Sequence, residues 1–110
     1  MIAVIYRSYV EPEKENHYMQ LWKTIANYFV EYRGAIGSSL HKTQEGYWLV
    51  YSRWTDQETR DKSWPSDDEP SQMLPENIRH AITEIKKCVD QSRKFPEICM
   101  EIKDDLLVGV

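Results

Sequence analysis

The chain has 110 residues, with 14 basic and 18 acidic side chains and a net charge of −4 when histidine is neutral. That length suits a single domain over residues 1–110, and 41% hydrophobic with 29% charged residues excludes a disordered, collagen-like or coiled-coil chain. No basic stripe is present to attract phosphates, and no apolar run approaches the ~20 residues that cross a bilayer, so neither nucleic acid nor a membrane is an expected partner. Met1 to Arg7 lack the basic start and long apolar stretch of a secretion signal, which makes the cytoplasm the expected compartment. Cys88 and Cys99 form no CxxC and have no histidine at ligand spacing, so they read as two buried thiols, with neither a disulfide framework nor a metal site.

Ile2 to Val10 mixes β-branched and aromatic residues and reads as a strand. Alternation puts Ile2, Val4, Tyr6, Ser8 and Val10 on one face and Ala3, Ile5, Arg7 and Tyr9 on the other, so both faces are apolar. Glu11-Pro12-Glu13 ends that strand and opens a helix to about Tyr32, with proline and acidic side chains where a helix start accepts them. Tyr18, Leu21, Trp22, Ile25, Phe29 and Tyr32 form its apolar stripe. Gly34 fits the position that closes a helix.

Ala35–Thr43 and Tyr47–Trp54 read as a hairpin around Gln44-Glu45-Gly46. With Thr43 opposite Tyr47, His41 faces Leu49, Ser39 faces Tyr51 and Gly37 faces Arg53, while Leu40, Val50, Ile36 and Trp54 share the opposite side. Thr55-Asp56-Gln57-Glu58 has the form of a capping box, so a short helix runs through Arg60 toward Trp64 before Pro65 ends it. Ser66 to Ser71 is an acidic loop. Pro75-Glu76 opens a helix with a stripe of Ile78, Ile82, Ile85 and Val89, expected to end near Ser92. Phe95–Ile102 reads as the last strand, followed by the apolar tail Leu106–Val110, which could extend a partner's sheet.

The order β-α-β-β-(α)-α-β predicts an α+β, ferredoxin-like fold: a four-stranded antiparallel sheet with helices on one face. Helices cover only one side of such a sheet, yet the strands carry bulky apolar residues on both. A second copy packed face to face is the expected cover, which makes the protein a homodimer.

The strand into Glu11-Pro12-Glu13-Lys14-Glu15, the helix with Trp22, the glycine-led hairpin and Tyr51-Ser52-Arg53-Trp54-Thr55-Asp56 before a short helix together resemble the antibiotic biosynthesis monooxygenase (ABM) domain family over nearly the whole chain. The resemblance implies a dimeric α+β barrel with a ligand pocket between sheet and helices. It implies, for the oxygenase members, monooxygenation of a small aromatic or quinol-like substrate without a cofactor. The haem-degrading branch pairs a strand-one asparagine, a tryptophan and a histidine; here Tyr6 stands at the asparagine position, Trp64 resembles the tryptophan, and no histidine falls near Met73 and Leu74. The quinol-oxygenase-like branch often carries a histidine where this chain has Ser63 and Trp64. Two alternatives therefore stay open: a non-catalytic dimeric module that binds a small apolar ligand or serves in interaction, and a haem-binding relative without the degradation residues.

The candidate pocket residues are Tyr6, Ser38, Ser52, Trp54 and Trp64, and no catalytic residue is assigned. Trp64 would either stack on a flat ligand or close the core between helix and sheet. Tyr6 would either donate to a quinone or phenolate oxygen or serve as a structural tyrosine. Ser38 and Ser52, opposite each other across the hairpin, would line a pocket or mark a tight packing point. His41 is the one strand histidine, without a triad around it, and reads as a surface or dimer-interface residue. Arg7 and Arg53, taken as lying near the same ends of parallel neighbouring strands, would form either an anion-binding pair or ordinary ion pairs.

Overall fold

The computed structural model describes residues 1–63 and 74–107; the candidate Trp64, the acidic loop and the end of the apolar tail lie outside them. The elements are β1 (Ile2–Val10), α1 (Glu15–Tyr32), β2 (Ala35–Lys42), β3 (Trp48–Trp54), α2 (Gln57–Ser63), α3 (Glu76–Lys86), β4 (Val89–Lys94) and β5 (Ile98–Glu101). A 3₁₀ turn over Pro12–Lys14 leads into α1. The strands form one antiparallel sheet in the order β2-β3-β1-β4, with β5 also on β1. This is the α+β arrangement expected from the element order.

The hairpin register matches the expected one: Gly37 faces Arg53, Ser39 faces Tyr51 and His41 faces Leu49. Gly46 holds φ +98° in the turn and Gly34 holds φ +82° after α1, conformations that side chains with a Cβ rarely adopt. Ile36 departs from expectation. A bulge between Ala35 and Gly37 puts Ala35, and not Ile36, opposite Trp54, and Ile36 turns out to 45% exposure.

The last part of the chain differs most. The second long helix stops at Lys86, and Val89, expected on its stripe, starts a strand opposite Val10. Its physical cause is a competing β partner: Val10 offers Val89 an apolar neighbour across β1 that a further helical turn would forgo. The fourth strand position is thus split. β4 pairs with Ser8 and Val10 while β5 pairs with Ile2 to Ile5, and Phe95-Pro96-Glu97 bridges the two. The N-cap of α2 is Asp56, whose Oδ1 accepts the Thr59 N–H at 2.7 Å, one residue beyond the expected Thr55. Cys88 is buried as expected but Cys99 is exposed, against the reading of two buried thiols. Tyr32 also leaves the helix stripe and is 65% exposed.

Helices cover the face carrying Val4, Tyr6, Ser8 and Val10. One core cluster joins Val4 and Trp54 to Ile25, Phe29, Ala35, Leu74, Ile78, Ala81 and Ile82; a second joins Val10 and Trp48 to Tyr18 and Cys88. The other face carries Ile5, Tyr9, Leu49 and Tyr51 with Ile98 and Met100. There Arg53 binds Asp105 at 2.6 Å, so the segment after β5 docks on its own sheet. Arg7 and Arg53 are not a pair: β1 and β3 are antiparallel, Arg53 stands opposite Ala3, and Arg7 stands opposite Leu49. Among the described residues no helix is long and apolar enough to cross a membrane.

Candidate functional site

The two core clusters sit at opposite ends of the same strand faces, and two of the four side chains between them are serines. Along β1 the helix-facing sequence runs Val4, Tyr6, Ser8, Val10; along β3 it runs Trp54, Ser52, Val50, Trp48. The outer members of each run belong to the clusters, whereas Tyr6, Ser8, Val50 and Ser52 floor a cavity of about 560 Å³. Serines cannot reach across to the helices, so the gap stays open. Its roof comes from Trp22, Ile25 and Phe29 of α1 and from Ile82 and Ile85 of α3. Arg93, Lys94, Phe95 and Glu97 of β4 and the bridge also line it.

Tyr6, Ser38, Ser52 and Trp54, separated in sequence, line this one cavity. Ser38 and Ser52 face each other across the hairpin with hydroxyls 3.0 Å apart, one donating to the other. Trp54 is 4% exposed and meets Phe29 edge to face, with centroids 6.3 Å apart. Its indole N–H, like that of Trp22, is buried and finds no acceptor among the described residues.

Tyr6 has a partner that sequence reasoning missed. Arg60 of α2 donates from Nη2 to the Tyr6 hydroxyl oxygen at 3.1 Å and binds Glu97 at 2.5 Å. Burial pushes the Tyr6 phenol above its ordinary pKa, with Arg60 opposing that rise, so Tyr6 remains protonated at neutral pH. Burial, with a smaller contribution from Cys88, pushes Tyr18 up to about 12. Arg60 stays charged because Tyr6 and Glu97 outweigh its desolvation. The one sequence signal for Arg60 was its place on the short helix after Trp54; nothing in the spacing showed that it turns toward β1. Trp22 and Phe29 were legible as stripe residues but not as cavity walls.

His41 lies exposed and shares a 2.8 Å hydrogen bond with Ser39, away from the cavity. Arg53 binds Asp105 and Tyr51, while Arg7 donates to the Pro96 carbonyl and stacks 4.8 Å from the Phe95 ring. Among the described residues no group of three or more His, Cys, Asp or Glu side chains gathers to hold a metal. Chemically the cavity is largely apolar, with phenol, indole and hydroxyl side chains in its lining, and is suited to bind an aromatic ring.

Solved structures with the same fold include a conserved protein from Methanosarcina mazei Go1, with TM-score 0.69 and 17% identity over 93% of this chain and 92% of that one. A protein described as an antibiotic biosynthesis monooxygenase gives 0.68 and 14% over 94% of this chain and 100% of that one. SnoaB, a cofactor-independent oxygenase from Streptomyces nogalater, gives 0.69 and 10% over 96% and 95%. At these identities the likeness establishes the fold. No curated protein matches the sequence. The family model described as antibiotic biosynthesis monooxygenase matches residues 1–64, from β1 through the whole of α2 and so across most of the cavity floor. The chain therefore belongs to the antibiotic biosynthesis monooxygenase family.

Proposed function

We propose that the protein is a homodimeric, cofactor-independent monooxygenase that binds a small aromatic or quinol-like substrate in the cavity between sheet and helices, with Tyr6, Ser38, Ser52 and Trp54 as pocket residues. The observation that carries this reading is the cavity itself: about 560 Å³, aromatic on its walls, with a protonated phenol beside a guanidinium. That volume suits a small ring system. Oxygenation without a cofactor requires a substrate that itself supplies electrons to oxygen, such as a phenolate or hydroquinone anion. The protein's part is to bind the ring, stabilise its deprotonated oxygen and exclude bulk water. The similarity to SnoaB supports the same reading. Free thiols at Cys88 and Cys99 suit a reducing cytoplasm.

One observation favours a second reading, a non-catalytic ligand-binding module: among the described residues no histidine lines the cavity to act as general base. Oxygen uptake by the purified, cofactor-free protein against a panel of hydroquinones and polycyclic phenols separates the two, with boiled protein and Tyr6→Phe as controls. Saturable uptake that falls at least roughly tenfold in Tyr6→Phe supports the oxygenase. Binding of the same compounds without uptake supports the module. A Soret band on adding hemin would instead point to haem binding.

A further inference from the structure

We infer that Arg60 is a positioning residue that locks Tyr6 as a one-way hydrogen-bond donor toward the acidic hydroxyl of a phenol, hydroquinone or enol bound in the cavity. The inference rests on the aromatic-ligand reading above and narrows its substrate class.

A guanidinium has five donors and no acceptor, so in the 3.1 Å contact Arg60 must donate and the Tyr6 oxygen must accept. The Tyr6 proton then cannot turn back toward Arg60. None of the described residues accepts it, and Tyr6 lines the cavity. Arg60 is itself held from both sides. Nη2 binds Glu97 at 2.5 Å, Nη1 binds Asp61 at 3.3 Å, and the side chain is only 11% exposed. Its charge centre lies 5.9 Å from the centre of the Tyr6 ring.

The groups around the Tyr6 hydroxyl are Arg60 from α2, Glu97 from the bridge and Cys99 from β5. Burial, with smaller contributions from Glu97 and Cys99, outweighs the guanidinium, so Tyr6 keeps its proton. A donor whose oxygen already accepts a charged hydrogen bond is the stronger donor for it. A ligand oxygen gains most from such a donor when it carries negative charge, so the pair favours hydroxyls acidic enough to ionise when bound. An ether or a hydrocarbon gains nothing comparable.

The test uses 4-nitrophenol, whose phenolate absorbs visible light, titrated in the presence of saturating wild-type protein, Arg60→Gln, Arg60→Lys, Glu97→Gln and Tyr6→Phe. The bound phenol in wild type should ionise about one pH unit or more below the free compound. Arg60→Gln and Tyr6→Phe should abolish most of that shift and Arg60→Lys should restore part of it. Glu97→Gln should deepen it, a change in the opposite direction that structural damage would not produce. No binding to wild type, an undiminished shift in Arg60→Gln, or an unchanged or smaller shift in Glu97→Gln would overturn the assignment. Oxygen uptake measured alongside keeps the two readings apart. A shift that depends on Arg60 without uptake leaves the assignment standing and removes the oxygenase, whereas uptake with an Arg60-independent shift does the reverse.

Discussion

Trp54 has two jobs that mutation can separate from those of its neighbours. It belongs to the larger core cluster and also walls the cavity, so Trp54→Ala should cost about 3–5 kcal/mol in urea unfolding, as large-to-small core changes do. Ser52→Ala removes one hydroxyl of a hydrogen-bonded pair and should cost no more than about 1 kcal/mol in the same assay. Gly34 is constrained in another way. At φ +82° an added Cβ would also stand 3.1 Å from Thr59 Cγ2, so Gly34→Ala should lose at least about 1–2 kcal/mol through backbone strain alone. The positive φ at Gly34 and Gly46 was legible because a helix end and a three-residue turn both call for it. The inward turn of Arg60 was not, since it depends on how α2 packs back against β1 and on Glu97, which is distant in sequence.

At the level of elements, alternation fixed β1, β2 and β3, and their register followed from the turn. Period alone misjudged α3, because Val89 fits a helical stripe as well as it fits the edge of β1, and the choice is made by Val10. Thr55 and Asp56 posed a similar ambiguity at the start of α2: either side chain can cap, and it is Asp56 that reaches the Thr59 N–H. The segment after β5 is anchored by charge. Arg53, with the Leu107 N–H, holds the Asp105 carboxyl below its ordinary pKa. A folded-state pKa that is depressed contributes stability above the unfolded value near ~3.9 and loses it as pH falls through the folded value. Residues 102–107 should therefore stay docked from neutral pH down to the ordinary aspartate range and come free below it. Amide exchange over that segment at pH 5 and pH 2 checks this, and Asp105→Asn should free the segment already at neutral pH.

For the whole molecule, the sheet face opposite the helices is the feature to explain. Ile98 and Met100 are 37% and 36% exposed. With Ile5, Leu49 and Tyr51 they make an apolar surface of the kind a second copy covers. Light scattering in the low micromolar range should give twice the chain mass, and the double variant Ile98→Asp, Met100→Asp should give the monomer with its fold intact by circular dichroism. A stable wild-type monomer of ordinary solubility would rule out this use of the face. Strand alternation made the apolar outer face readable, whereas the cavity emerges only when Tyr6, Ser8, Val50 and Ser52 are set in register between two clusters.

The division of the fourth strand has a consequence for how the protein can change. β4 and β5 each keep their own partners on β1, so Phe95-Pro96-Glu97 carries no ladder, and adding or removing a residue there leaves both registers intact. Those same residues line the cavity. Phe95 and Pro96 are thus the part of the lining that can be retailored without disturbing the sheet, which lets the range of acceptable molecules drift as long as Glu97 keeps its bond to Arg60.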